Sequence, residues 1–84
     1  MLVAAQIRAA RALLRWSAQK LADESGVSWT TIQRMESAED VPSATAKNLK
    51  AIQDTLENAG VIFIDEDDEG PGVRLRKSGA RLRS

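Results

Sequence analysis

The sequence predicts a mainly α-helical protein: a four-helix bundle over residues 1–60, a C-terminal β-hairpin over residues 61–76, and a basic, flexible tail over residues 77–84. Three observations predict it. Helix-forming residues with apolar positions three and four apart recur in four stretches before Gly60. Ser17, Gly26 and Ser28 separate the first three stretches at spacings that suit helix caps and a tight turn. Beyond Gly60 the pattern changes to the β-rich run Val61-Ile62-Phe63-Ile64, and later to the alternating Val73-Arg74-Leu75-Arg76.

The first helix is expected over residues 3–15. Val3, Ile7, Ala10 and Leu14 share one face, and Arg8, Arg11 and Arg15 recur at helical spacing, a series that suits a solvated face. Trp16 ends it and suits core or hinge packing. Ser17 caps a second helix, Ala18 to Ser25, with Leu21 and Ala22 inward, and Gly26 follows where a left-handed residue is favoured. Ser28 caps a third helix, Trp29 to Ser37, with Ile32 and Met35 buried. Residues 37–40 form a loop, and Pro42-Ser43 restarts the chain. Ser43 is expected to cap the fourth helix, about Ala44 to Asn58, which buries Leu49, Ile52 and Leu56 until Gly60 stops it. Glu69-Gly70-Pro71-Gly72 reads as the turn of the hairpin.

Composition narrows the function. Eighty-four residues with 43% hydrophobic and 29% charged side chains make one globular domain rather than a disordered chain. Without cysteine or histidine there is no thiolate, no imidazole base and no zinc site of the usual ligands. An enzyme is not expected, nor a cofactor or metal. The acidic run Asp65 to Glu69 lacks the ligand spacing and central glycine of a calcium loop and reads as a solvated connection. No apolar stretch is long enough to cross a membrane, and Arg8 and Arg11 break any signal-peptide layout, so a cytoplasmic protein is expected. The formal net charge is zero. Setting aside the five acids at 65–69 leaves twelve basic against seven acidic residues, so the remainder is basic.

The central pattern runs from Ser17 to Glu36: two short helices joined by a glycine-containing turn. Ala22 allows a close helix crossing, Gly26 makes the turn, and Leu21, Val27 and Ile32 form the small core that sets the crossing angle. A second helix held this way projects its N-terminal end into a major groove. From about Ile7 to Val61 the chain resembles the Cro/C1-type (XRE) helix-turn-helix domains of phage repressors and bacterial regulators, a lambda-repressor-like fold. The resemblance rests on Ile7, Arg11, Ser17, Leu21-Ala22, Gly26-Val27-Ser28, Thr31-Ile32, Arg34, Glu36, Pro42-Ser43, Leu49 and Leu56.

The resemblance implies a dimeric transcriptional regulator, a repressor or autoregulator, on a palindromic double-stranded operator. Trp29, Thr30, Gln33 and Arg34 would meet the bases, Arg34 pairing with guanine and Gln33 with adenine. Ser28 would lie near a phosphate, and Thr30 or Thr31 would touch a phosphate or a thymine methyl. Lys47 and Asn48 would lie near the backbone. Arg11 and Glu36 match an ion pair that joins the first helix to the end of the third. Where the family often begins its second helix with a phosphate-binding glutamine, this chain has Ala18, with Gln19 one place later. Where the family follows its glutamate with Asn-Gly and basic residues, this chain has Ser37-Ala38-Glu39-Asp40. Trp29 could equally pack beside the fourth helix or mark a protein contact. These departures suit two alternatives that keep the fold: a protein-interaction module acting as an antiactivator, or an antitoxin. The hairpin either covers the base of the helical core or pairs with a second copy, making a homodimer that buries Val61, Phe63, Val73 and Leu75. The tail residues Lys77, Arg81 and Arg83 are expected to be unstructured.

Overall fold

A computed structural model describes residues 2–38, 44–65 and 67–77. The chain forms four helices, α1 (Ala4–Leu14), α2 (Ala18–Ser25), α3 (Trp29–Ser37) and α4 (Ala46–Asn58). Strands β1 (Val61–Ile64) and β2 (Gly72–Leu75) follow as an antiparallel hairpin in which Val61 lies opposite Leu75 and Phe63 opposite Val73.

The caps explain the boundaries. Gln6 Oε1 accepts the free N–H of Val3 at 3.0 Å, which starts α1 one residue later than the periodicity suggests. Arg15 takes a left-handed conformation, φ 59°, and ends it one residue earlier. Ser17 and Ser28 accept the N–H groups of Lys20 and Thr31, as their positions predict. Gly26 ends α2 at φ 78°, a conformation in which a side chain is strained. The expected cap of α4 is corrected: Thr45 Oγ1 accepts from Asn48 N–H at 3.1 Å, so the helix starts at Ala46. Ser43, with Glu39, Asp40 and Pro42, lies outside the described residues. So does the tail beyond Lys77, where the flexible segment with Arg81 and Arg83 was expected. β2 begins at Gly72, one residue before the expected strand.

Ile7, Leu21, Ile32, Met35, Ile52, Leu56 and Val61 are the largest fully buried side chains. Each of the large ones contributes about 1.5–3 kcal/mol by leaving water. Ala10, Ala18 and Ala22 are buried between them and let the helices approach. The core therefore includes the hairpin: Val61 lies within it, and Phe63 and Val73 pack against it. Gln6 ties the hairpin to α1 by donating from Nε2 to the carbonyls of Ile64 and Gly72, at 3.1 and 3.0 Å.

Candidate nucleic-acid interface

The chain holds α3 rigidly from behind. Its inner side is Ile32, Met35 and Glu36, all buried. Leu21 and Val27, buried in the same cluster, complete the core of the two-helix unit. The C-terminal end of α3 is clamped to α1. Arg11 Nε and Nη2 donate to Glu36 Oε2 and Oε1, both at 2.7 Å, in a two-pronged pair that fixes direction as well as distance. Arg11 Nη1 also donates to the carbonyl of Trp16 at 2.9 Å, tying in the junction between α1 and α2. Arg8 donates to the carbonyl of Glu36, satisfying an acceptor that the helix end leaves free. The hydrogen bond to Glu36 raises the Arg11 pKa above the ordinary arginine value, and the Glu36 charge adds to it against the effect of burial. Arg11 and Glu36 thus form the expected structural pair. Arg8 is more than the solvated arginine that its spacing suggests, and no periodicity signals a bond to a main-chain carbonyl 28 residues away.

The opposite side of α3 is open. Ser28, Trp29, Thr30 and Arg34 are exposed, with Trp29 49% accessible, and Thr31 and Gln33 are half-buried. Trp29 thus presents its ring to solvent at the first turn of α3. Ser28 donates its hydroxyl to Thr31 Oγ1 at 2.9 Å, which orients Thr31 with its own hydroxyl proton directed elsewhere. Arg34 takes part in no ion pair among the described residues, so its five donors face water or a ligand. Around the inner core the only acid of α3, Glu36, is turned inward and neutralised by Arg11. The exposed side of α3 consequently carries Arg34 as its sole charge.

The other expected contact residues are less well gathered. Gln19 is exposed near the start of α2, but its Nε2 is engaged by Asp23 Oδ1 at 3.0 Å. Ala18, which stands in place of the family's frequent phosphate-binding glutamine, is buried. Lys47 is exposed and Asn48 half-buried in the first turn of α4, a separate element. Lys20 lies over the Trp16 ring, 5.6 Å from its centre, and bridges Glu24 at 3.2 Å, so Trp16 packs at the hinge as its place suggests. For the hairpin, the expected partner-contact set is corrected at Val61: it is 1% exposed inside its own chain's core and has no side-chain surface for a second copy. Leu75, 37% exposed, retains such a surface.

Among the described residues no group of acidic, histidine or cysteine side chains is placed to hold a metal ion, and no helix is long and apolar enough to cross a membrane. Comparison with curated proteins finds no match. Residues 7–57, more than half of the chain, match the helix-turn-helix family. That stretch begins at the Ile7 of the core and contains the clamp, the turn at Gly26 and the open face of α3. The chain therefore belongs to the Cro/C1-type helix-turn-helix family of DNA-binding regulators.

Proposed function

We propose that this chain is a sequence-specific transcriptional regulator, a repressor or autoregulator, that reads a palindromic operator as a dimer and catalyses no reaction. The observation that carries the reading is the two-sided character of α3: locked behind by Arg11, Arg8 and the core, open in front at Trp29, Thr30, Gln33 and Arg34. In this reading Arg34 makes a two-pronged contact to a guanine, and Gln33 pairs with an adenine. Trp29 and Thr30 lie against sugar or thymine methyl, while Ser28 and Thr31 meet a phosphate. Lys47 approaches the backbone from α4, and Gln19, whose Nε2 gives one hydrogen to Asp23, donates the other to a phosphate. Protein concentration or a protein partner supplies any switch, and the place of action is the cytoplasm. Few phosphate contacts imply a shallow dependence of affinity on salt.

A gel shift with the DNA upstream of the protein's own coding region tests this. Arg34→Ala should lose about 1–3 kcal/mol of binding, on the order of tenfold to a hundredfold in affinity, with the fold intact by circular dichroism. The absence of a shift on any upstream fragment at low salt, with a second protein co-purifying, would instead support the antiactivator or antitoxin reading. The half-exposed Trp29 and the engaged Gln19 are the observations that favour that alternative.

A further inference from the structure

A helix leaves its last carbonyls without partners and carries a partial negative charge there, which a basic residue in the last turn offsets. α1 and α3 follow that pattern with Arg11 and Arg34. α2 and α4 do not: neither has a basic residue in its last turn. Both carry acids there instead, Asp23 and Glu24 in α2 and Glu57 in α4. The side-chain amides of Gln19 and Gln53 donate to Asp23 and Glu57, and a neutral donor leaves the carboxylate charge in place. The two helix ends converge on one cavity of about 190 Å³, lined by Trp16, Glu24, Thr55, Asn58 and Ala59. No hydrogen bond from a described residue reaches the main-chain carbonyls of Asn58 and Ala59.

Two of the lining groups already hold a cation. Lys20 Nζ lies 5.6 Å from the centre of the Trp16 ring and 3.2 Å from Glu24 Oε2, so ring and carboxylate share one ammonium. Lys20 and Glu24 are both exposed, and an ion pair in water exchanges readily. Lys20 does not itself line the cavity, and Glu24 Oε1 has no ion-pair or hydrogen-bond partner among the described residues. The acceptors that remain are therefore one carboxylate oxygen and the end of α4, beside an aromatic face. A guanidinium suits them better than an ammonium. Its flat face stacks on an indole, and its five donors spread in one plane, enough for a carboxylate and two carbonyls at once.

We propose that this cavity binds a guanidinium group, which stacks on Trp16 in place of the Lys20 ammonium, pairs with Glu24 and donates to the carbonyls at the end of α4. No residue of α3 lines the site, so it stands or falls independently of the operator reading. Two sources can supply the group: a free guanidinium compound, or Arg81 and Arg83 of the same chain. Those two arginines lie outside the described residues, five and seven positions after Arg76, whose N–H bonds to Gly60 next to Ala59. Methylguanidinium titrated into the full chain without DNA should shift the NMR signals of the Trp16 indole and of the Thr55, Asn58 and Ala59 amides along one saturable curve. Glu24→Gln should weaken binding about tenfold or more. Lys20→Gln removes the competing ammonium and should tighten it. Lys50→Gln should change nothing, because neither Lys50 nor its partner Asp54 lines the cavity. Helical circular dichroism should be the same for all these variants, whose substituted side chains are exposed. If Arg81→Ala with Arg83→Ala binds the probe more tightly than the native chain, the chain's own arginines are the source; equal affinity identifies a free compound. No saturable shift in either the native chain or that double variant, an affinity that Glu24→Gln leaves unchanged, or equal tightening by Lys20→Gln and Lys50→Gln overturns the site.

Discussion

Replacing Arg11 by methionine separates the clamp from the core. The methionine keeps most of the apolar stem, so packing changes little, but three hydrogen bonds vanish: two to the Glu36 carboxylate and one to the Trp16 carbonyl. Glu36 is 7% exposed and would be left as a buried carboxylate without its partner. Removing one member of a buried pair costs about 3–5 kcal/mol. Arg11 is 22% exposed, so water can reach part of the vacated space, and the cost falls somewhat below that range, to about 2–4 kcal/mol. A domain of this size has a total stability of roughly 4–13 kcal/mol. The variant should therefore melt about 10–25 °C lower. Urea unfolding followed by circular dichroism, with the slope unchanged, measures the loss. The double variant Arg11→Met with Glu36→Leu removes both charges and should recover most of it. A single variant that loses less than about 1 kcal/mol, or a double variant as unstable as the sum of the singles, would refute the reasoning.

Three further outcomes follow from the same contacts. Gln6→Ala removes the Val3 cap and both bonds to Ile64 and Gly72; it should cost about 1–3 kcal/mol and raise amide exchange in the hairpin before that in α3. Arg15→Gly relieves a left-handed arginine and should stabilise the chain by about 0.5–1 kcal/mol net of the added freedom of the unfolded chain, measured by the same urea titration. Because the folded-state pKa of Arg11 is raised, the stability that its charge contributes at neutral pH persists up to the ordinary arginine range and is lost only as pH rises through the higher folded value. Moving from neutral to moderately alkaline pH should thus leave the destabilisation of Arg11→Met unchanged, and a loss that disappears by that point would place the arginine elsewhere.

The helices were legible because each carries its signal locally. Ser17 and Ser28 lie just before apolar periodic runs, and Gly26 lies just after one, so caps, turn and inner faces could be read within a few residues. The start of α4 was misread because Ser43 and Thr45 are both competent caps two residues apart, and only packing of the helix chooses between them. Long-range bonds left no local mark. Gln6 reaches Gly72 across 66 positions and Arg8 reaches Glu36 across 28, and neither residue type at its position implies such a partner. Gln6 had one visible clue, a glutamine at the third position of a helix, where it can turn back to the cap. The alternation of Val61, Phe63, Val73 and Leu75 identified a shared face correctly but could not say against what it packs. The core of the same chain takes Val61, Phe63 and Val73 first.

The zero net charge loses its force against DNA binding once the charges are placed. α1 separates two regions. Near its start, Gln6 holds the end of the hairpin at Ile64 and Gly72, and the acidic connection continues from that end. Near its finish, Arg11 holds the end of α3. The two anchors are five positions apart along the helix, about 7.5 Å of axial rise, and they point to different neighbours. Asp65, Asp67, Asp68 and Glu69 are exposed on that connection, next in chain to the hairpin, while the one acid of α3 is neutralised inside. Composition counts Glu36 and Asp67 alike, but only their surroundings decide whether a phosphate backbone meets their charge. Within α3 the arginine that remains exposed is Arg34, and the buried glutamate two residues beyond it is the one that Arg11 has already paired.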